Sequence, residues 1–198
     1  QMGSLFFASQ YMNEPTDFSG TILLRDWLSY YDARDPLPSD LAYFIGVDPA
    51  LKADRKADFF CIAVAGVSQS SKRTYIVDLL RTHAEPTKQK ELIIEYAAKW
   101  KPRVINVESA AAQIILTQFL QEMTNLPIRP SPTLKDKVMR FSTMAIPFES
   151  KRVFIPGEMR EGMMQPTKMF EPFVEEWTSF PRGAHDDTLD AVEKALEA

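Results

Sequence analysis

Three β-rich runs follow one another through the middle of the chain, Tyr43 to Val47, Asp58 to Val67 and Arg73 to Leu80, and nothing else restricts the fold as strongly. Pro49 closes the first run, because proline has no backbone N–H and ends ladder pairing. Ser68-Gln-Ser-Ser-Lys72 joins the second and third as a hairpin connection. Strands joined so closely pair antiparallel, so the three open a sheet. The period then changes: Leu92, Tyr96 and Trp100 recur at four-residue spacing beside Ile93 and Ala97, which predicts an amphipathic helix over Thr87 to Lys101. Arg103 to Val107 reads as a short strand and Ala110 to Met123 as the helix after it. Three antiparallel strands followed by βα units specify an α/β fold with a mixed sheet and helices on both faces.

Pro127 to Pro130 reads as one more short strand, Lys135 to Phe148 as a mixed basic and apolar helix, Lys151 to Pro156 as an edge strand, and Gly157 to Gln165 as a loop. Two further helices are expected at Thr167 to Thr178 and Asp186 to Glu197. Residues 1–42 differ from the rest: proline and turn signals flank one amphipathic helix at about Thr21 to Tyr31. They read as a connecting extension that packs on a domain formed by residues 43–198. No apolar run approaches the roughly 18 residues of a membrane helix, and the start of the sequence lacks a secretory pattern. The expectation is a cytosolic chain without a membrane partner.

Two acidic residues end strands. Asp48 follows Val47 and Glu108 follows Val107, and either is a turn residue or a ligand when read alone. If the first and fourth strands lie side by side, about 4.8 Å apart, both carboxylates can grip one ion. A third acidic feature is Gly183-Ala-His-Asp-Asp-Thr-Leu-Asp-Ala191, where Asp186, Asp187 and Asp190 crowd a helix start. Capping uses one carboxylate, and the others repel each other. These are hard oxygen donors, and with only His83, His185 and Cys61 besides, a zinc site is improbable while Mg²⁺ or Mn²⁺ fits. Two such ions, about 3.5 to 4 Å apart, support in-line phosphodiester hydrolysis. Asp58, beside Asp48 across a hairpin, and His185 are candidates for supporting contacts, as is Asp190.

The net charge of −4 argues against a surface coated for indiscriminate nucleic-acid binding, but it allows a local basic groove. Lys135, Lys137, Arg140 and Arg152 lie in a mostly basic stretch and are candidates for contacts to a DNA phosphate.

At these residues the chain resembles the C-terminal nuclease domain of the large terminase subunit of tailed bacteriophages, whose fold is similar to RNase H and to RuvC-type resolvases. The resemblance is carried by Ser9-Gln-Tyr-Met-Asn-Glu-Pro15, Gly46-Val-Asp-Pro-Ala50, Val107-Glu-Ser109, Lys135-Asp-Lys-Val-Met-Arg140 and His185-Asp-Asp-Thr-Leu-Asp-Ala191. It implies an RNase H-like sheet and a two-ion site in which Asp48 bridges both ions, Glu108 holds one and Asp187 the other, with Asp186 as the additional ligand. Helical phase does not decide between Asp186 and Asp187, since consecutive residues differ by about 100° and the frame of a first turn is uncertain. It further implies double-stranded DNA as substrate, cut with little sequence preference in the cytoplasm of an infected bacterium. An upstream ATPase motor domain, a portal protein and a small terminase subunit would be partners. These 198 residues hold no Gly-x-x-x-x-Gly-Lys-Ser/Thr loop and are not themselves that motor. Two other readings remain: a resolvase or other RNase H-fold nuclease, and a catalytically silent module that docks on portal or DNA.

Overall fold

The computed structural model describes residues 22–50, 59–109, 114–132 and 136–197. In chain order the elements are β1 (Tyr30–Asp32), β2 (Leu41–Asp48), β3 (Phe60–Ser68), β4 (Thr74–Thr82), α1 (Pro86–Trp100), β5 (Val104–Glu108), α2 (Ile114–Met123), β6 (Ile128–Ser131), α3 (Lys137–Glu149), β7 (Val153–Arg160), β8 (Met163–Pro166), α4 (Glu171–Ser179) and α5 (Asp187–Leu196). The strands form one mixed sheet in the order β1-β7-β4-β3-β2-β5-β6, with β8 paired to β7. The central β2, β3 and β4 are antiparallel, and β5 and β6 add in parallel beside β2. This is the mixed sheet that the order of elements implies, in the RNase H-like arrangement that the family resemblance implies.

Alternation along β3 explains the layers. Phe60, Ile62 and Val64 face one side, packing with Ile45, Val47, Ile105 and Val107 against Ile93 and Ala97 of α1 and Leu120 of α2. Cys61, Ala63 and Ala65 face the other, against Phe141 of α3, Trp177 of α4 and Leu189 and Val192 of α5. The second face carries small residues because a helix backbone must come close. Gly46 on β2 makes this explicit: a Cβ there would lie 2.1 Å from the Ala191 carbonyl oxygen and 2.2 Å from the Ala195 nitrogen. Asn106 on β5 donates to the Lys194 carbonyl at 2.8 Å, fixing the far end of the same helix. α5 is thus pinned across the centre of the sheet. Beyond it, Phe148, Phe173 and Trp177 form an aromatic core, with Phe148 and Trp177 ring centroids 4.6 Å apart. Each such side chain contributes about 1.5–3 kcal/mol through burial.

Three expectations are corrected. The helix expected at Thr21 to Tyr31 is, over the described part, a single 3₁₀ turn at Arg25–Trp27 followed by β1. Ile22, Leu23 and Leu28 are buried in the main core, and the Trp177 indole donates to the Leu24 carbonyl at 3.0 Å. Tertiary packing therefore overrides local helical spacing here. The segment Gly157 to Gln165 is a hairpin rather than a loop. Glu161 and Gly162 both take positive φ, 50° and 79°, the turn geometry that matches the twist of two strands. β7 is longer than expected and is not an edge, since β1 and β4 flank it. The Ser9 to Pro15 motif, Asp58 and Lys135 lie outside the described residues.

Candidate metal centre

β2 and β5 run parallel with Val47 opposite Val107, so Asp48 and Glu108 leave the sheet at equivalent positions on adjacent strand ends. Because α5 is pinned over Gly46, its first turns stand beside those ends. Asp190, one turn into the helix, completes the group: one carboxylate oxygen each from Asp48, Glu108 and Asp190 lie within 4.8 Å of one another. Three hard donors at that spacing fit a divalent cation that prefers oxygen.

The electrostatics divide the centre in two. The Asp48 and Glu108 carboxyl groups stand close together, and that proximity favours the protonated form of Asp48. Burial pushes the Asp48 pKa well up, and the Glu108 hydrogen bond and the charges of Asp190, Glu108 and Asp187 push it further. On the helix side Asp190 meets cations. Lys137 Nζ lies 2.9 Å from its Oδ2, and the Arg140 guanidinium bonds its Oδ1. Burial raises the Asp190 pKa while Lys137 and Arg140 oppose the rise.

The remaining candidates take distinct places. Asp187 is buried in the first turn of α5, close enough to Asp48 to act on its charge, and its Oδ2 lies 3.6 Å from His185 Nδ1. The close oxygen group contains Asp190 where the family resemblance implies Asp187. Asp186 precedes the helix without a side-chain capping bond and accepts from Lys137 at 2.9 Å. His185 is exposed and packs edge-on to Phe59 at 5.2 Å. Lys137 stands at the rim, its side chain 43% exposed.

Of the expected phosphate contacts, one is corrected by burial and another lies far from the carboxylates. The Arg140 side chain is only 4% exposed, and its second contact is Glu193 Oε2 at 2.8 Å, so its charge is spent inside the protein. Arg152 sits beside Val153, which pairs with Thr74 in the row of Val67 and Ala42. Asp48 stands six residues beyond Ala42 on β2, so Arg152 is about 20 Å from the carboxylates, at the opposite end of the sheet.

Glu176 is a site residue that the sequence motifs do not include. It reaches from α4 to the start of α5, accepting from the Thr188 backbone N–H at 2.8 Å and from the Thr188 hydroxyl. It does the capping that Asp186 does not. Arg81 Nε lies 3.4 Å from its other oxygen, with the Arg81 guanidinium 3.6 Å above the centre of the Phe59 ring. Burial lifts the Glu176 pKa to about 7 against these favourable contacts. The sequence does carry a signal for it: a lone acid within the apolar stripe of Phe173, Val174 and Trp177.

A family model described as the terminase RNaseH-like domain matches residues 45–198. The chain belongs to this family. Solved terminase nucleases share the fold of this terminase RNaseH-like domain. The large terminase nuclease from thermophilic phage G20c superposes with a TM-score of 0.65 at 14% identity, covering 90% of this chain and 98% of that one. The same G20c nuclease has been solved with bound magnesium, zinc and cobalt. The human cytomegalovirus terminase nuclease domain gives a TM-score of 0.55 at 17% identity, covering 87% of this chain and 90% of that one. The large terminase of another thermophilic bacteriophage gives 0.57 at 13% identity, with 88% of this chain covering 43% of that one. No curated protein sequence matches. Among the described residues no helix is long and apolar enough to cross a membrane.

Proposed function

We propose that the chain is the divalent-metal-dependent endonuclease domain of a DNA-packaging terminase, cutting concatemeric viral double-stranded DNA with little sequence preference. The observation that carries the reading is the convergence of Asp48, Glu108 and Asp190 at two adjacent strand ends and one helix, in a terminase nuclease fold. Asp48, central to the group, would bridge two Mg²⁺ or Mn²⁺ ions, Glu108 would hold one, and the α5 carboxylates Asp190 and Asp187 the other, with Asp186 at the rim. When bound, such ions lower the pKa of a water and stabilise charge on the attacking and leaving oxygens of a phosphodiester. The protein's own part is positional. The parallel register of β2 and β5 sets the spacing of two ligands, and Glu176 and Gly46 set where α5 presents the third. Lys137, exposed at the rim, would meet a backbone phosphate, a contact that positions DNA without reading sequence.

Residues before 43 would form the connection to an upstream ATPase motor domain. Support comes from Ile22, Leu23 and Leu28, which seat that segment on the nuclease body. Portal protein and small terminase subunit would be the further partners, in the cytoplasm of an infected bacterium.

The test is plasmid cleavage by the purified chain with EDTA, Mg²⁺ or Mn²⁺, beside Asp48→Asn. Metal-dependent nicking and linearisation that disappear in the variant are expected. Unchanged cutting by the variant would overturn the assignment of Asp48, and preferential cutting of branched DNA or of the RNA strand of a hybrid would redirect the substrate.

A further inference from the structure

Lys137 and Arg140 stand three residues apart on α3 and take one Asp190 oxygen each. They differ in their freedom to leave. Arg140 is enclosed, and its guanidinium is shared with Glu193, which also contacts Lys194 Nζ at 3.0 Å. Its planar fork is held on two sides by fixed carboxylates. Lys137 instead reaches the centre from the rim on a flexible stem. Its ammonium is shared between Asp190 Oδ2 and Asp186 Oδ1, both at 2.9 Å, and nearly half of its side chain meets solvent. One cation is part of the framework, whereas the other can swing away without opening the core.

The oxygen that Lys137 holds belongs to the carboxylate that comes within 4.8 Å of the Asp48 and Glu108 donors. A divalent ion among these three residues would meet the Lys137 charge at very short range. We propose that Lys137 is a built-in exchangeable counter-ion of Asp190, competing with the divalent cation for that carboxylate and released toward the DNA backbone when the cation binds. The inference rests on the metal-site reading. It makes metal loading and DNA engagement mutually favourable through one side chain: a phosphate that draws Lys137 outward frees Asp190, and by linkage the cation strengthens the phosphate contact by the same factor.

The experiment measures Mn²⁺ affinity directly, by calorimetry or by the electron paramagnetic resonance of free Mn²⁺, with no DNA present. Four chains are compared: wild type, Lys137→Met, Lys137→Arg and Arg152→Ala. Lys137→Met keeps the apolar stem and loses the charge, and circular dichroism checks its fold. The expected result is Mn²⁺ binding roughly fivefold tighter in Lys137→Met, the size of a strong, partly exposed ion pair. Lys137→Arg and Arg152→Ala should stay at the wild-type value. Addition of a short duplex should tighten Mn²⁺ binding by wild type and do so less in Lys137→Met. Equal or weaker binding by Lys137→Met overturns the proposal, as does equal tightening by Arg152→Ala, which would show a general field effect. Failure of both wild type and Lys137→Met to bind Mn²⁺ would instead remove the metal-site reading beneath it.

Discussion

At the ends of β2 and β5 the carboxyl groups of Asp48 and Glu108 face one another, and the neighbours that Asp48 feels most strongly are all acids. Across the same centre, on α5, both oxygens of Asp190 are met by cations, and the charge alternation continues through Arg140, Glu193 and Lys194. The neighbours of Asp48 raise its pKa, whereas two cations meet the oxygens of Asp190 and oppose such a rise. Both sides are largely desolvated, so burial alone does not explain the difference. Clustered buried acids are costly to ionise together, and such a cluster persists where an external cation offsets its charge. The helix side has a different task, since its compensated pairs hold α5 and Asp190 in place.

The largest expected effect follows from removing the framework cation. Arg140→Leu leaves Asp190 and Glu193 buried without their shared partner, and the cost should be about 3–5 kcal/mol of folding stability. Urea unfolding measures it. A loss comparable with that of an exposed arginine would break the comparison, because Asp190 would then be no better compensated than Asp48.

Much of this contrast could not be read from the chain. The three antiparallel strands, the pairing of the first and fourth strands and the acidic strand ends were legible because β-rich apolar runs ended in carboxylates. The side of α5 that meets the strands was not, because Asp187 and Asp190 share a helix face and the decisive term is the close approach of Gly46 to Ala191 and Ala195. Arg140 resembled a solvated basic residue, since its acidic partners lie about fifty positions away. β1 and the β7–β8 hairpin were hidden for a related reason: each draws its order from a neighbouring strand, while Tyr30–Asp32 ends a stretch of helical spacing and the proline, glycine and methionine of the hairpin suggest loop when read locally.

The strand side predicts the opposite sign. Asp48→Asn, for which loss of nuclease activity is expected, should be more stable than wild type in EDTA, because it removes an acid that its surroundings disfavour in the charged form. The folded pKa of Asp48 is raised, so its contribution to stability is complete below the ordinary carboxylate range and is lost as pH rises. The advantage of the variant should therefore grow from acid toward neutral pH. Added Mg²⁺ should raise the melting temperature of wild type by a few degrees and that of the variant by less. A destabilised Asp48→Asn in EDTA would show that some cation of the protein already serves the strand side.

Glu176 lies between these extremes and sharpens the comparison with a smaller effect. It is buried, which raises its pKa, yet Thr188 and Arg81 contact it and draw the pKa down, leaving it at about 7. The ordinary glutamate value of 4.5 is the reference for the unfolded chain, so the native state binds the proton more tightly. The stabilisation is thus complete below about pH 4.5 and is lost as pH rises through about 7. Glu176→Gln keeps an acceptor for the Thr188 N–H but cannot ionise, so its stability should change less across that window. The expected difference in slope integrates to about 1–2 kcal/mol, because the surroundings relax around a charged carboxylate. Melting temperatures of both chains, taken in EDTA from pH 5 to pH 8, measure it. Equal slopes would mean that Thr188 and Arg81 compensate Glu176 as fully as Lys137 and Arg140 serve Asp190, placing α4 with the neutralised framework.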